Sequence, residues 1–409
     1  MLLMGELLKV NGKDLSIDGI TVGKRLGVGA QGFGVFSFDG NKVVKIITDN
    51  EGVHEMDNTQ YRQLFYELKI LTLLKHPNIV IAHKFVAEMY ENEHATEVED
   101  NYFYYGLVLE SLSVPLDSII YGYKKIEFKL IKELSGQLIS AVNYLYELDL
   151  VHRDIKPSNI MLNDNGLLKI TDFGSIQPLG MYHPDDNGTI FYKPPEVIMG
   201  YANIRNTSFD LWSAVCTILE MITKEPVFYA PGAITKDVLY RIATCLNDKT
   251  VPAKLPKTAY NYFEYNKNLK ELNEMDIGNN KDKTTLEMAV GVDNYKILIK
   301  DAGGDFENFK SFVESVLVFN QVNRQKPDKE FLCHPFLTEY SIDVFAEDDK
   351  RGQKLKSKLN KIGHLGTLLA MGNGKTDKMP NNKNDLLVTY LTTTPSFPAK
   401  PSYKLKDNY

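Results

Sequence analysis

Between residues 20 and 48 polar and apolar positions alternate in short runs. ITVGKRL alternates, GVFSF and KVVKII are rich in β-branched and aromatic residues, and Asp39-Gly40 stands between the last two as a hairpin signal. The pattern predicts strand, glycine-rich turn, strand, turn, strand. The period then changes. Over 55–75, Leu64, Leu68 and Leu71 fall on one helical face, and His76-Pro77-Asn78 ends the helix. Residues 88–100 hold six acids and no Lys or Arg, which predicts an exposed loop before the strand GLVLESL. Tyr102-Phe103-Tyr104-Tyr105 opens that strand and suits sheet packing. From 127 to 148, Phe128, Ile131, Ser135, Leu138, Val142 and Leu145 recur at spacings of three and four, predicting a long helix. A second helix, 209–222, is more apolar and is expected to be buried. The stretch 248–300 is less regular, with six Asn between Asn261 and Asn280, and reads as an insertion with partial helix. Residues 341–409 lose periodicity and gain Lys, Asn, Thr and Pro, as a flexible tail does.

Composition narrows the class. The chain has 409 residues, 43% apolar and 24% charged, which excludes a collagen-like or wholly disordered protein. No apolar run approaches 18 residues, so no membrane-spanning helix is expected. Glu6 interrupts the apolar start too early for a secretory signal. Three scattered cysteines, Cys216, Cys245 and Cys333, form neither a disulfide framework nor a zinc pattern, and a reducing, cytoplasmic compartment is expected. The net charge of −6 is uneven, because residues 350–409 carry 12 Lys/Arg against 3 Asp/Glu. Such a tail is a solvated appendage or a contact for anionic lipid or nucleic acid.

The candidate chemistry begins at LGVGAQGFGVF. Gly27, Gly29, Gly32 and Gly34 lie between two strands, where backbone N–H groups can approach phosphates with no Cβ in the way. By itself this loop could equally be a flexible hairpin turn. Lys45 then stands inside the apolar strand VVKII, costly unless paired, and Glu67 on the next helix is an available partner. Such a pair beside a glycine loop can hold the α and β phosphates of a nucleotide. VHRDIKPSNIML packs five polar groups into eight positions around a Pro that prevents a helix. Asp154 can accept a proton from an attacking hydroxyl, Lys156 can neutralise a moving phosphoryl group, and Asn159 offers an amide oxygen to a metal. Beyond the strand LLKIT, the carboxylate of Asp172, in Asp172-Phe173-Gly174, suits Mg²⁺.

Together these segments resemble the eukaryotic-type serine/threonine protein kinase family: the glycine loop, VVK, the helix Glu, HRDIKPSN, DFG and Pro194-Pro195-Glu196, supported by HPNIV, DLW and Arg324. The resemblance covers about residues 20–340. It implies an α+β, two-lobed kinase fold, with a β-rich lobe at 20–112 carrying one main helix and a larger helical lobe at 113–340, preceded by an extension over 1–19. It implies transfer of the γ-phosphate of ATP, with Mg²⁺, to hydroxyl groups of protein substrates. The implied catalytic residues are Asp154, Lys156 and Thr189, and the metal ligands Asn159 and Asp172. The implied nucleotide site comprises Leu26, Gly27, Val28, Gly29, Ala30, Gln31, Gly32, Phe33 and Gly34 of the loop, with Val43, Lys45, Glu67, Glu110, Leu112 and Met161. Leu109 would be the gatekeeper, Asp117 a ribose contact, and Arg324 the partner of Glu196.

Three features depart from the family pattern. The glycine loop fits two registers. In one, Gly34 occupies the usual base-covering position; in the other, Gln31 replaces a glycine and Val35 or Phe36 covers the base. Val215 stands where Gly is common, a packing change. The segment LESLSVPLDSII lacks the usual glycines. In many such enzymes a Thr four residues before the position of Thr189 is phosphorylated and pairs with the HRD Arg. Here that place is Asp185, so activity without loop phosphorylation is expected. A small-molecule kinase is disfavoured by the PPE and Arg324 pairing, and a catalytically dead scaffold by the filled catalytic positions. The Lys/Asn-rich segments suit a viral, bacterial-effector or protist origin; in the first two the compartment would be a host cytoplasm.

Overall fold

Five strands hydrogen-bond into one antiparallel sheet: β1 (Arg25–Val28), β2 (Phe33–Phe38), β3 (Lys42–Ile47), β4 (Ala82–Tyr90) and β5 (Tyr102–Glu110), in the order β1-β2-β3-β5-β4. The computed structural model describes residues 9–10, 13–17, 19–28, 33–47, 58–90, 102–179, 189–199, 208–233, 235–246 and 283–341. The turn between β2 and β3 explains the Asp39-Gly40 signal. Both residues have positive φ, 40° and 67°, which Asp tolerates and Gly adopts freely.

Alternation in the strands sends side chains to two separate cores. On one face Val43, Leu107 and Leu109 meet the helix α1 (Asn58–Leu73) through Leu64, Leu68 and Leu71, all buried. On the other, Phe36, Phe38, Val44, Ile46 and Val108 form a second cluster. That cluster is closed by Leu15, Ile17 and Val22, all three fully buried. Residues 16–17 pair antiparallel with 20–21, and Val22 N donates to Leu15 O at 2.7 Å. Part of the stretch expected as an N-terminal extension therefore covers the outer face of the sheet. Gly106 in β5 lies under this layer; a Cβ there would stand 2.6 Å from Val44 Cγ2.

The larger lobe is built on two helices: α3 (Phe128–Glu147), which follows the short α2 (Leu116–Gly122), and α4 (Phe209–Thr223). Phe209 to Met221 are all buried, so α4 forms the centre of this lobe, as its apolar sequence predicts. A small three-stranded antiparallel sheet lies between the lobes, in which Val114–Pro115 pairs with β6 (Ile160–Leu162) and β6 pairs with β7 (Leu168–Ile170). Helices α5 (Thr235–Leu246), α6 (Thr285–Val290), α7 (Val292–Ala302) and α8 (Phe306–Val316) complete the lobe. Most of the stretch expected as an insertion, through residue 282, lies outside the described residues. From Thr285 it is helical, and Leu286, Ala289, Val290 and Leu298 enter the main core. The expected acidic loop lies outside the described residues from 91 to 101, as does the tail from 342. Among the described residues no helix is long and apolar enough to cross a membrane.

Ile17→Ala should lower unfolding stability by about 2–5 kcal/mol in a urea titration, the usual cost of such a truncation in a core. A loss below about 0.5 kcal/mol would mean that residues 15–22 do not close the outer core.

Candidate active site

The site forms where β3, α1 and the end of β7 meet. Lys45, in β3, is 4% exposed, and a charge so buried needs partners. It has two: Glu67 on α1, with Nζ 2.9 Å from Oε2, and Asp172, with Nζ 2.7 Å from Oδ1. Burial opposes the charge on Lys45, but Asp172 and Glu67 outweigh it and raise its pKa. Burial pushes the Glu67 carboxyl up against the pull of Lys45. At Asp172 burial also opposes ionisation, but Lys45 prevails and the pKa is lowered. Glu67 Oε1 accepts a further bond from Phe173 N at 3.1 Å, so α1 is tied to the DFG segment directly as well as through Lys45. The Phe33 ring lies 4.7 Å from Lys45 Nζ, adding a cation–π contact.

Asp172 has left-handed backbone angles, φ 56° and ψ 71°. A non-Gly residue in this region marks a constraint imposed by its surroundings. Phe173 is fully buried and packs edge-on against His152, with ring centroids 4.7 Å apart. His152 Nε2 in turn lies 3.0 Å from Thr171 O.

The segment 152–159 is held from below by Asp210, in the first turn of α4. Its two oxygens accept from His152 N at 2.7 Å and Arg153 N at 2.9 Å. Burial raises the Asp210 pKa, and the donated N–H groups oppose that rise. Arg153 adopts φ 72° here, and the pair of bonds fixes this turn. Asp154 is thereby presented upward, 9% exposed. Asn159 Nδ2 donates to Asp154 O at 2.8 Å and to Asp154 Oδ2 at 2.7 Å. Lys156 Nζ lies 2.9 Å from Asp154 Oδ2 and donates to Thr189 Oγ1 at 3.2 Å. Asp154, Lys156, Asn159 and Thr189 thus form one hydrogen-bonded group.

Among the residues expected at the nucleotide, Val43 and Leu109 are buried opposite one another on β3 and β5, and Met161 is half-buried in β6. Glu110 ends β5 and the half-buried Leu112 follows it. Leu26 and Gly27 lie in β1, with Leu26 exposed; Val28 ends that strand. Gly29, Ala30, Gln31 and Gly32 lie outside the described residues. The strand register bears on the two alignments of the glycine loop. Val35 pairs with Lys45 and therefore shares its face. Gly34 and Phe36 occupy the opposite face, where Phe36 packs with Leu15 and Ile17. Neither Gly34 nor Phe36 covers the Lys45 side of the sheet; Val35 does. Asp117 uses its carboxylate within α2, accepting from Ser118 N at 2.6 Å.

Below the site, Arg324 makes a two-pronged pair with Glu196, at 2.8 and 2.9 Å, both residues buried. Arg324 also stacks on Trp212, 4.6 Å from the ring centroid.

Residues 20–337, more than three quarters of the chain, match the family model described as protein kinase domain. The chain belongs to the protein kinase domain family. Among its relatives is a probable serine/threonine-protein kinase of Dictyostelium discoideum, 28% identical over 282 residues, covering 68% of this chain and 51% of that protein. Two probable cell division protein kinases of Encephalitozoon cuniculi are also similar. One is 30% identical over 176 residues, covering 43% of this chain and 53% of that protein. The other is 45% identical over 107 residues, covering 25% and 39%. The chain thus spans about half the length, or less, of these relatives.

Kinase domains use ATP, usually with Mg²⁺. The charges present suit that pair: Lys45 faces two carboxylates, Glu67 and Asp172, and the surplus negative charge at Asp172 favours a divalent cation. Asp172 and Asn159 could hold it, with phosphate and water completing the shell. In the sequence Asp210 stands out only as part of DLW, with no role attached. A signal was present all the same: one acid in the first turn of an otherwise apolar, buried helix. Glu220 lies outside every sequence motif. It is fully buried and accepts from Tyr192 Oη at 2.6 Å and from Tyr121 Oη. Burial raises its pKa while the two phenols oppose the rise, and it ties α2 to the segment after Thr189.

Arg324→Met leaves Glu196 charged in the core without its partner. Chemical denaturation should show a loss of about 3–5 kcal/mol, as for other broken buried pairs. A loss under about 1 kcal/mol would contradict the buried two-pronged pairing.

Proposed function

We propose that this chain is a serine/threonine protein kinase that transfers the γ-phosphate of Mg-ATP to hydroxyl groups of proteins. One observation carries the reading: Asp154, Lys156, Asn159 and Thr189 form a single hydrogen-bonded group, while Lys45, Glu67 and Asp172 form a second. Mg-ATP supplies the phosphoryl group and the metal's charge. Asp154 orients the substrate hydroxyl and takes its proton. Lys156 holds positive charge beside it, and Thr189 keeps Lys156 in place. Lys45, fixed by Glu67, positions the α and β phosphates. Asp172 and Asn159 hold the metal. Catalysis on this account is positioning and electrostatic stabilisation, with no covalent enzyme intermediate. The Lys and Ser of Lys156-Pro157-Ser158-Asn159, together with Thr189, favour Ser and Thr as acceptors over Tyr. Three cysteines without a disulfide fit a reducing, cytoplasmic setting. Binding of anionic lipid or nucleic acid by the tail rests on its charge alone.

Asp154→Asn should reduce phosphorylation of a generic basic protein by about 10²–10⁴-fold, the range for loss of a positioned base. Lys45→Met should reduce it by orders of magnitude while the circular dichroism spectrum is unchanged. Activity within about threefold of wild type in either folded variant would refute the assignment.

Activation is part of the same proposal. Asp185, outside the described residues, takes the place at which a phosphate would otherwise pair with Arg153. A carboxylate carries about half the charge of a phosphate, yet a charge-assisted pair with Arg still orders a loop. Phosphatase-treated protein, shown by mass spectrometry to be unmodified between Asp172 and Glu196, should keep its full rate. Asp185→Ala should lose most of it. Inactivation by phosphatase, or full activity in Asp185→Ala, would overturn the idea.

A further inference from the structure

Lys169 sits in the middle of β7, three residues before Asp172, with its side chain 5% exposed. Such a lysine must be paired, and its partners belong to the other lobe. Its Nζ lies 2.8 Å from Glu110 Oε1 and donates to Ile79 O at 3.2 Å. The same Glu110 oxygen accepts from Ile81 N at 2.7 Å, and Glu110 N donates to Ile81 O at 3.0 Å. Glu110 is thus bonded to Ile81 through both its backbone and its side chain. The stretch 78–80 is itself fastened to β7: Val80 N donates to Ile170 O at 3.0 Å and Ile170 N to Asn78 O at 2.9 Å. Beyond Glu110, Ser111 N donates to Asn41 O and Ser113 N to Leu162 O. The chain that joins the lobes is therefore anchored at 111 and 113 by its backbone. At 110 it is anchored by a carboxylate whose one cationic partner among the described residues is Lys169.

We propose that Lys169 is a positioning residue for nucleotide binding, acting through Glu110. This rests on the reading of the chain as an ATP-using kinase, in which the backbone of Glu110 to Leu112 meets the adenine. The ammonium of Lys169 is spent on Glu110 and Ile79, so its effect passes through the orientation of that backbone. Without Lys169 the Glu110 carboxylate, 19% exposed, keeps one N–H donor and no positive partner from β7. A carboxylate short of partners turns toward water, and the peptide groups on either side of it turn with it. Nucleotide affinity falls as a result, whereas Asp154, Lys156 and Asn159 keep their own bonds.

The test compares wild type with Lys169→Met, Lys169→Arg and Glu110→Gln. Three quantities are measured: the Kd for ATP by calorimetry, which needs no phosphoryl transfer; KM for ATP and kcat on a generic basic protein; and Tm. In Lys169→Met, Kd and KM should both rise about 3- to 10-fold, the scale of a partly transmitted charged hydrogen bond. The effect on kcat should be smaller than the effect on KM. Lys169→Arg should recover most of the affinity. Glu110→Gln, which keeps an acceptor for Ile81 N, should shift Kd in the same direction by less, and carries the test if Lys169→Met does not fold. ATP affinity unchanged in both variants, even with a lowered Tm, would reduce the pair to a structural contact and overturn the proposal. So would a fall in kcat at unchanged KM. Wild-type protein that binds no ATP would overturn the kinase reading and this proposal with it.

Discussion

Lys45 is the point on which the site depends. A single ammonium, buried in a strand, is shared between a carboxylate 22 residues away and another 127 residues away. An unpaired charge there would cost more than most single interactions in a domain can return. Lys45 therefore holds α1 against the sheet and draws Asp172 to the cleft. The left-handed backbone at Asp172 and the Phe173 N bond to Glu67 follow from the same convergence.

The lower half of the site depends on a second buried acid. Asp210 spends both oxygens on the backbone N–H groups of His152 and Arg153. A loop with positive φ at Arg153 would be unstable by itself. Rooted in a helix buried from Phe209 to Met221, it becomes a fixed support for Asp154. The Glu196–Arg324 pair and the Glu220 contacts anchor the segment after Thr189 to the same region. Asp210, Glu196 and Glu220 thus act as supports at a distance from the cleft, while Asp154 and Asp172 stand in it with Lys156 and Lys45 as partners.

The lobes are joined by more than a connecting chain. Residues 78–80 pair with β7 through backbone bonds, and Lys169 reaches from β7 to Glu110. Helix α1 and the strands it packs on are therefore registered against the large lobe at two places.

Much of this was legible in the sequence. Period-2 and period-3.6 patterns placed strands over 20–48 and helices over 55–75, 127–148 and 209–222, where the helices Asn58–Leu73, Phe128–Glu147 and Phe209–Thr223 lie, because burial constrains the residue types in each. The motif residues Lys45, Glu67, Asp154, Asn159 and Asp172 were legible because chemistry restricts the residue type at each. What the sequence could not decide depended on which side of a strand faces what. Val35 shares a face with Lys45 while Gly34 and Phe36 do not, and only the pairing register fixes that, since a shift of one residue exchanges the faces. The closure of the outer core by Leu15 and Ile17 was equally hidden, because two-residue strands carry no periodicity. Asp210, Glu220 and Lys169 have residue types common on any surface. Their roles arise from burial and from partners 28 to 99 residues distant, and such pairings exist only once the chain has folded.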